Sequence, residues 1–390
     1  MKSATVVGAG VFGVASAIAL VDQGWEVTLV DPGPLPHPLA ASTDISKIIR
    51  ADYGTDSLYI DLMEEAFPHW QAWNEAWGSD LYHQTGFLIL SGAAMSPGSY
   101  EHASFTALES RGFPVEQVMA STVGERYPQW SLPAGVEGYV NGRAGWAESG
   151  AVVARLLADA AGVGVRLVET KVTDLMTRRS RVEGVVTEDG QRLLSDLTVV
   201  AAGAWTAGLV PDLDELIVTT GHPIVHFLPG EPERFRPPHF LPWAADIANT
   251  GWYGFPSSAT GVLKVANHGA GRIIGPDEDR QIAEDWEAHF RGFLTEWLPA
   301  VAEAPIVDTR LCLYTDTTDG DFLIDRHPRL KSLVVATGGS GHGFKFAPVI
   351  GELVTDTIEH GPRYKRFGWR TAAAVKKEPA RAVGHRPVKP

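Results

Sequence analysis

The sequence contains one cysteine, Cys312, among its 390 residues. A single thiol excludes an internal disulfide framework and a thiolate metal cluster, and it is typical of a reducing compartment. Positive charge is also scarce, since 33 Lys and Arg residues stand against 47 Asp and Glu residues, for a net charge of -14 at pH 7. Such a chain repels phosphate backbones and anionic membranes, so neither nucleic acid nor a membrane is an expected partner.

Signatures of several other protein classes are missing as well. The uncharged stretch 4–21 is long enough to consider as a signal peptide or membrane span, but Gly8, Gly10 and Gly13 interrupt it at dinucleotide-loop spacing. No clustered His and carboxylate spacing suggests a metal, and the sequence has no G-x-S-x-G elbow for a nucleophilic serine. No metal is therefore expected. The chain ends in Pro390 without a peroxisomal signal, so a cytoplasmic protein is expected.

Strand and helix patterns alternate along the chain and predict a two-domain α/β (α+β) fold. Segments 3–8, 13–24 and 26–31 form one βαβ unit, which opens a Rossmann-like nucleotide-binding domain. Further strands are expected near 47–51, 86–91, 165–169, 197–202, 217–225, 252–256, 262–266 and 333–337, and further helices near 62–70, 151–161, 286–297 and 347–358. We assign 1–80, 145–215 and 310–370 to the nucleotide-binding domain, 81–144 and 216–309 to an interleaved antiparallel-sheet substrate domain, and 371–390 to a disordered tail.

The first strand leads into the motif Gly8-Ala9-Gly10-Val11-Phe12-Gly13, which fits G-x-G-x-x-G. Its glycines allow a tight turn, close approach of a pyrophosphate and close packing of helix on strand. Asp31 follows 18 residues after Gly13 at the end of the second strand, where a carboxylate can accept a ribose hydroxyl. The motif favours a bound dinucleotide over a glycine turn without a ligand, but it does not distinguish NAD from FAD.

Three blocks in the C-terminal half carry a more specific pattern: RLCLYT at 310–315, DFLID at 321–325 and GGSGHGFK at 338–345. Together they resemble the monomeric sarcosine oxidase and fructosyl-amino acid oxidase (amadoriase) group of the D-amino acid oxidase superfamily. The resemblance runs from the first strand to about Gly361. It implies a bound FAD roofed by the second sheet, a small-molecule amine as substrate, molecular oxygen as acceptor, and a monomeric enzyme that produces an imine and hydrogen peroxide.

The resemblance also implies how the flavin is held. In the group, the cysteine of the R-x-C-x-Y-T block is linked to the flavin through a thioether, and Cys312 matches it. A buried structural cysteine is the alternative. Implied cofactor contacts are Gly8, Gly10, Val11, Phe12, Gly13, Asp31, Ser42, Thr43, Lys47, Val172, Ala202, Gly203, Trp205, Cys312, Asp325, Gly338, Gly341, His342, Gly343, Phe344 and Lys345.

Catalytic and substrate-binding roles are carried over to a small set of side chains. Lys264 matches a lysine over the flavin face, where its cation favours reduction of oxygen, and an apolar strand that ends in lysine agrees with a buried functional charge. Lys345 matches a lysine that binds the substrate carboxylate. Arg50 and Asp44 are further candidates for substrate binding, as is Tyr253, although an aromatic residue can equally serve packing.

The signals for substrate choice conflict. Asp44 and Lys47 resemble the amadoriase version of the flavin-side loop, whereas sarcosine oxidases usually have arginine at the position of Lys47 and histidine at that of Thr43. His268, a catalytic candidate with Lys47, is the sarcosine-oxidase residue at its position, or else a hydrogen-bonded structural histidine. We rank glycated amino acids before N-methyl amino acids such as sarcosine. Oxidases of pipecolate or saccharopine, an amine dehydrogenase with another acceptor and a flavin-binding scaffold remain alternatives.

Overall fold

The computed structural model describes residues 2–283 and 285–370, and the segment 371–390 predicted to be disordered lies outside the described residues. The helices are α1 (Val11–Asp22), α2 (Ser57–Trp77), α3 (Tyr100–Ser110), α4 (Ala120–Arg126), α5 (Ser149–Gly162), α6 (Thr206–Leu209), α7 (Asp285–Trp297), α8 (Pro299–Ala302) and α9 (Ala347–His360).

The strands are β1 (Ser3–Val7), β2 (Glu26–Asp31), β3 (Lys47–Ile49), β4 (Tyr82–His83), β5 (Phe87–Leu90), β6 (Val115–Met119), β7 (Glu137–Asn141), β8 (Gly145–Ala147), β9 (Arg166–Glu169), β10 (Val172–Arg178), β11 (Arg181–Thr187), β12 (Arg192–Leu194), β13 (Leu197–Val200), β14 (Ile217–Phe227), β15 (Trp243–Ala245), β16 (Trp252–Gly254), β17 (Leu263–Asn267), β18 (Arg272–Ile273), β19 (Ile306–Thr317), β20 (Leu323–Arg326) and β21 (Leu333–Thr337). The strands and helices predicted from the sequence are confirmed, with ends shifted by a few residues.

A six-stranded sheet in the order β20-β21-β13-β1-β2-β9 contains the first βαβ unit. Its strands run parallel except for the antiparallel pair β20 and β21. Helices α1, α5 and α9 pack on one face, and the three-stranded sheet β10-β11-β12 contributes Val172 and Val185 to a cluster with Val7 and Val30. Because both faces are covered, the central strands β1, β13 and β21 are buried along almost their whole length rather than at alternate residues. The predicted Rossmann-like domain is present.

A nine-stranded sheet forms the second large layer, in the order β18-β14-β17-β16-β15-β5-β7-β6 with β19 paired to β14. Helices α7 and α8 cover it through an aromatic cluster that includes Trp243, Trp252, Phe290 and Phe293. The sheet is antiparallel, as predicted, except that β5 and β15 pair in parallel. These two strands are far apart in the sequence, so no hairpin forces the antiparallel direction between them.

Strand β19 connects the two halves of the molecule. It crosses residue 310, where the predicted domain boundary falls, yet it pairs with β14 along its length, from Ile306 to Thr317. Ser340, in the glycine turn after β21, donates its amide to the carbonyl oxygen of Thr315 at 3.1 Å. Cys312 therefore lies on a strand of the second sheet whose end is tied to the nucleotide-binding side. The division into domains otherwise stays a prediction.

Two classes of feature, a membrane-spanning helix and a metal-binding cluster, are not found in the described part of the chain. No helix of residues 2–283 and 285–370 is long and apolar enough to cross a membrane. Helix α1, which occupies most of the uncharged stretch, has only 12 residues and is packed within the nucleotide-binding domain. Over the same residues, no group of three or more His, Cys, Asp or Glu side chains could hold a metal ion.

Candidate active site

A cavity of about 870 Å³ is lined by residues of both large sheets. Its volume lies in the upper part of the range of about 300–1,000 Å³ that is typical of cofactor and ligand sites. The lining includes the first glycine loop, the glycine turn after β21, and aromatic and basic side chains of the nine-stranded sheet. One continuous space therefore joins the nucleotide-binding motif to the residues expected to bind substrate.

The first glycine loop is shaped to receive a phosphate group. Gly8 has φ +102°, a conformation that favours glycine, and its amide donates to Val30 O at 2.8 Å. Helix α1 starts at Val11 with its N-terminus at the cavity, where the positive end of the helix dipole attracts an anion. Asp31 accepts the Ala9 amide at 2.8 Å, and so holds the loop against β2. The donor set and the room left by the glycines fit a dinucleotide pyrophosphate.

Gly13 is needed for the fit of α1 on this loop, because a Cβ there would overlap Gly8 O. We expect Gly13→Ala to lower the free energy of unfolding by about 1–3 kcal/mol, a cost typical of overpacking, and to leave purified protein with little flavin. Flavin absorbance per chain and a denaturant titration measure both effects. Gly162→Ala is the control, because a Cβ there meets nothing within 4 Å; equal flavin content in the two variants would refute the role assigned to Gly13.

The second glycine turn holds a buried lysine at the cavity. Gly338 and Gly341 have φ +75° and +76°, and the turn leads into α9. The ammonium of Lys345 donates to Tyr53 Oη at 3.1 Å and to His342 O at 2.8 Å, and Trp70 Nε1 donates to Lys345 O at 2.8 Å. These contacts fix both the backbone and the charged end of a side chain that lines the cavity. A ligand carboxylate is the natural counterion for such a cation.

Arg50 follows β3 and lines the same cavity, but its guanidinium is tied to a buried polar cluster. It donates to Tyr100 Oη at 2.9 Å and to the carbonyl oxygen of Asp52. The Asp52 carboxyl in turn accepts from Tyr139 Oη at 2.7 Å and Asn141 Nδ2 at 3.1 Å. Burial raises the pKa of Asp52, although Arg50 opposes the shift. The cluster therefore holds Arg50 in one orientation beside the cavity.

Cys312 is buried in a small cluster with Ile224, Ala266 and Tyr314, against which Tyr253 packs. Its own side chain does not line the cavity, whereas the next three residues of β19 do. Since side chains alternate along a strand, Cys312 and Tyr314 share one face of β19, and Tyr314 lies at the cavity wall. The thiol is therefore directly behind the aromatic residues that form this wall.

Lys264 is fully buried on β17 and forms an ion pair with Asp44. Its ammonium also donates to Ser46 O at 2.7 Å and lies 4.5 Å from the centre of the Phe255 ring, which lines the cavity. Burial lowers the pKa of Lys264 to about 8, against the opposing effect of Asp44. Burial alone would raise the pKa of Asp44, but Lys264, His226 and Lys47 hold it well below its usual range.

The remaining candidates around the cavity fall into those on its wall and those behind it. On the wall, Tyr253 Oη lies 3.4 Å from Tyr314 Oη, and the ring centres of His268 and Tyr314 are 5.6 Å apart. Burial raises the pKa of Tyr253. Predicted cofactor contacts on the wall are Gly8, Gly10, Val11, Phe12, Asp31, Ser42, Lys47, Val172, Ala202, Gly203, Trp205, Gly338, Gly341, His342, Gly343, Phe344 and Lys345.

Gly13, Thr43 and Asp325 lie behind the lining. Thr43 turns its hydroxyl to carbonyl oxygens of its own loop, and Asp325 accepts the Trp369 amide at 2.6 Å. Through these hydrogen bonds, Thr43 and Asp325 help to shape the backbone around the cavity. Neither side chain lines the cavity, so neither is placed to contact a ligand there.

Two residues of the site, Tyr53 and His226, were not predicted from the sequence. Tyr53 connects Lys345 to His342, whose Nδ1 lies 3.1 Å from Tyr53 Oη. His226 lies beside the Asp44–Lys264 pair. The available signal for His226 was a histidine in an otherwise apolar stretch of β14. No local pattern marks Tyr53. Both depend on contacts between segments far apart in the sequence.

The chain belongs to the family of FAD-dependent oxidoreductases, whose model matches residues 3–357. It is 30% identical over 367 residues to the monomeric sarcosine oxidase of Bacillus sp. strain NS-129, covering 91% of this chain and 92% of that protein. It is also 30% identical to the amino acid oxidase imqH of Aspergillus flavus, covering 92% of each. The fructosamine oxidase of Aspergillus fumigatus (amadoriase II) superimposes with a TM-score of 0.81 at 27% identity, covering 94% of this chain and 88% of that one. The predicted FAD-dependent class, two-domain fold and resemblance are thereby confirmed.

Proposed function

We propose that the protein is an oxidase of secondary amines of amino acids, which produces an imine and hydrogen peroxide. One observation carries the proposal: a single cavity joins the dinucleotide loop to the cation of Lys345 and lies against the buried Lys264. The cavity thus has a place for the cofactor, for an acidic substrate and for charge that develops on oxygen. The sarcosine oxidase and fructosamine oxidase relatives support this reading.

Bound FAD would supply the redox chemistry by accepting a hydride equivalent from the substrate carbon next to the amine. The residues of the chain position and bind. Lys345, fixed by Tyr53 and by His342 O, takes the substrate carboxylate in a charge-assisted contact. Tyr253, Tyr314 and His268 form the wall that confines the substrate on the side of the nine-stranded sheet. Lys264 places a positive charge behind Phe255, where reduction of oxygen develops negative charge.

We propose further that Cys312 holds the flavin through a thioether. Formation of the bond replaces an S–H and a C–H bond by a C–S bond, a two-electron oxidation for which oxygen is the final acceptor. The burial of Cys312 in one cluster with the cavity-lining Tyr314 and Tyr253 supports this attachment, because it puts the thiol next to the cavity wall. Acid denaturation followed by mass spectrometry of the Cys312 peptide tests it. Flavin released intact from the wild-type chain would contradict the thioether.

Among substrates, we place glycated amino acids before N-methyl amino acids, because Asp44 and Lys47 resemble the amadoriase version of this loop. Lys47 lines the cavity and lies 3.8 Å from Asp44. We expect Lys47→Arg to shift kcat/KM toward sarcosine and away from fructosyl-valine by about tenfold in ratio, the effect of one altered polar contact. Lys171→Arg, at another part of the cavity wall, is the control. An unchanged ratio in Lys47→Arg would remove the reason for this order.

A peroxide assay tests the proposed activity, with fructosyl-valine, sarcosine and pipecolate as substrates. Peroxide formed in proportion to substrate consumed supports an oxidase. Substrate consumption only in the presence of an artificial electron acceptor would instead identify a dehydrogenase. Monomeric state, cytoplasmic location and the absence of nucleic-acid and membrane partners remain predictions, and the first is measured by light scattering of the purified protein.

A further inference from the structure

A row of three polar side chains crosses the nine-stranded sheet next to the active site. In register, His226 on β14 pairs with Lys264 on β17 on one side and with Asp308 on β19 on the other. Cross-strand partners direct their side chains to the same face of a sheet, so these three form one line. The line runs from a fully buried residue, Lys264, to an exposed one, Asp308, whose side chain is 65% accessible.

The side chains along this line are close enough for contact. His226 Nδ1 lies 3.0 Å from Asp308 Oδ2, and His226 Nε2 lies 3.5 Å from Asp44 Oδ1. The other carboxylate oxygen of Asp44 accepts from the Lys264 ammonium. The two nitrogens of one imidazole thus face an exposed carboxylate and a buried one, an arrangement in which a proton accepted at one nitrogen can be released from the other.

We propose that Asp308 and His226 conduct protons from solvent to the buried Asp44–Lys264 pair. This inference rests on the proposed oxidase function. Conversion of oxygen to hydrogen peroxide takes two electrons and two protons. A bound FAD in its reduced anionic form would supply both electrons and one proton, so the second proton would have to come from solvent. Lys264, whose ammonium lies behind the cavity-lining Phe255, would release a proton at this inner end and regain one through Asp44 and His226. The residues act through Lys264, and we therefore describe them as relay residues.

Charged side chains lie on both sides of His226. Asp44 and Asp308 face its two nitrogens, while Lys264 and Lys47 are the cations on the Asp44 side. Arg310, two residues beyond Asp308, points its guanidinium to the carbonyl oxygens of Ala40 and Thr43. Carboxylates therefore flank the imidazole on both sides, and the lysine cations lie at the inner end of the line. Burial of charged side chains such as Asp44 and Lys264 costs free energy, which indicates a functional role for this row. Delivery of a proton to its inner end is such a role.

The test follows proton uptake by the flavin-containing enzyme. The flavin is reduced with dithionite and mixed with oxygen, while a pH indicator reports proton uptake and flavin absorbance reports reoxidation. We expect both His226→Gln and Asp308→Asn to slow proton uptake, the first by at least about tenfold, and to increase the solvent isotope effect on reoxidation. His239→Gln and Asp174→Asn, exposed residues elsewhere on the surface, are the matched controls and should behave as wild type.

Two results would overturn the relay. One is proton uptake at the wild-type rate in both variants. The other is slower reoxidation in the variants with an unchanged solvent isotope effect, as a merely structural role predicts. If His226→Gln fails to fold, Asp308→Asn decides alone, since Asp308 is exposed. Because dithionite replaces the amine, a wrong substrate class leaves this test intact, and failure of the proposed function would already appear as missing flavin or missing reaction with oxygen.

Discussion

Replacement of Lys264 by methionine is expected to slow flavin reoxidation by oxygen by about 10²- to 10³-fold, the effect of removing one preorganised charge from a buried site. Anaerobic reduction by the amine should change far less, because Lys264 does not itself line the cavity and contacts Asp44, Ser46 O and the Phe255 ring from behind. Stopped-flow measurement of the two half-reactions separates these effects. Equal losses in both half-reactions would contradict the role assigned to Lys264.

The control for this variant must deal with the carboxylate that it leaves behind. Asp44 is buried, and removal of one partner of a buried ion pair costs about 3–5 kcal/mol because the other charge stays uncompensated. The double variant Asp44→Asn with Lys264→Met restores neutrality. We expect it to recover most of the free energy of unfolding while reoxidation stays slow. Recovery of oxygen reactivity together with stability would show that only folding was affected.

The pH profile of reoxidation should follow the charge on Lys264. Burial lowers the pKa of this lysine to about 8, so its ammonium is largely protonated below pH 8 and loses its charge above it. The rate of reoxidation is therefore expected to fall as pH rises through about 8 in the wild type and to be flat there in Lys264→Met. A profile that falls equally in both would assign the titration to another group.

Replacement of Lys345 by methionine is expected to lower kcat/KM for amino acid substrates by about 30- to 1,000-fold, which corresponds to the loss of one buried charge-assisted contact of about 2–4 kcal/mol. An amine without a carboxylate should lose much less. Lys331→Met, an exposed lysine, is the matched control. Steady-state kinetics measure this difference in kcat/KM, with each amino acid substrate paired with the corresponding amine that lacks the carboxylate. A similar loss for both substrates would show that Lys345 organises the turn with Tyr53 rather than binding the carboxylate.

Periodic and motif-bearing parts of the sequence predicted the fold well. The strand, glycine loop and helix at 3–22 are a local unit, in which the required glycines and the apolar faces are adjacent in the sequence. Both ends of strand β21 were predicted correctly, because the short, mainly apolar run at 333–337 is followed by a glycine turn. In contrast, the parallel pairing of β5 with β15 could not be predicted, since it depends on where a long excursion of the chain returns.

Within the site, the sequence predicted the charged residues but not their partners. Lys264 and Asp44 were both candidates, yet their direct ion pair joins residues 220 positions apart and follows from the way the loop before β3 packs on β17. Lys345 was predicted to bind a carboxylate, while Tyr53, which fixes its ammonium, carries no recognisable motif. Contacts of this kind arise from packing of distant segments, so single-sequence patterns do not contain them.

The most direct test of the proposed function uses the purified flavoprotein without oxygen. A substrate amine is added anaerobically, the absorbance of the oxidised flavin is followed, and air is then admitted. Our account predicts that fructosyl-valine or sarcosine bleaches the flavin and that air restores its absorbance with one hydrogen peroxide formed for each flavin. Flavin that stays oxidised with every secondary amine tested, or that returns to the oxidised state without peroxide, would contradict the assignment as an amine oxidase.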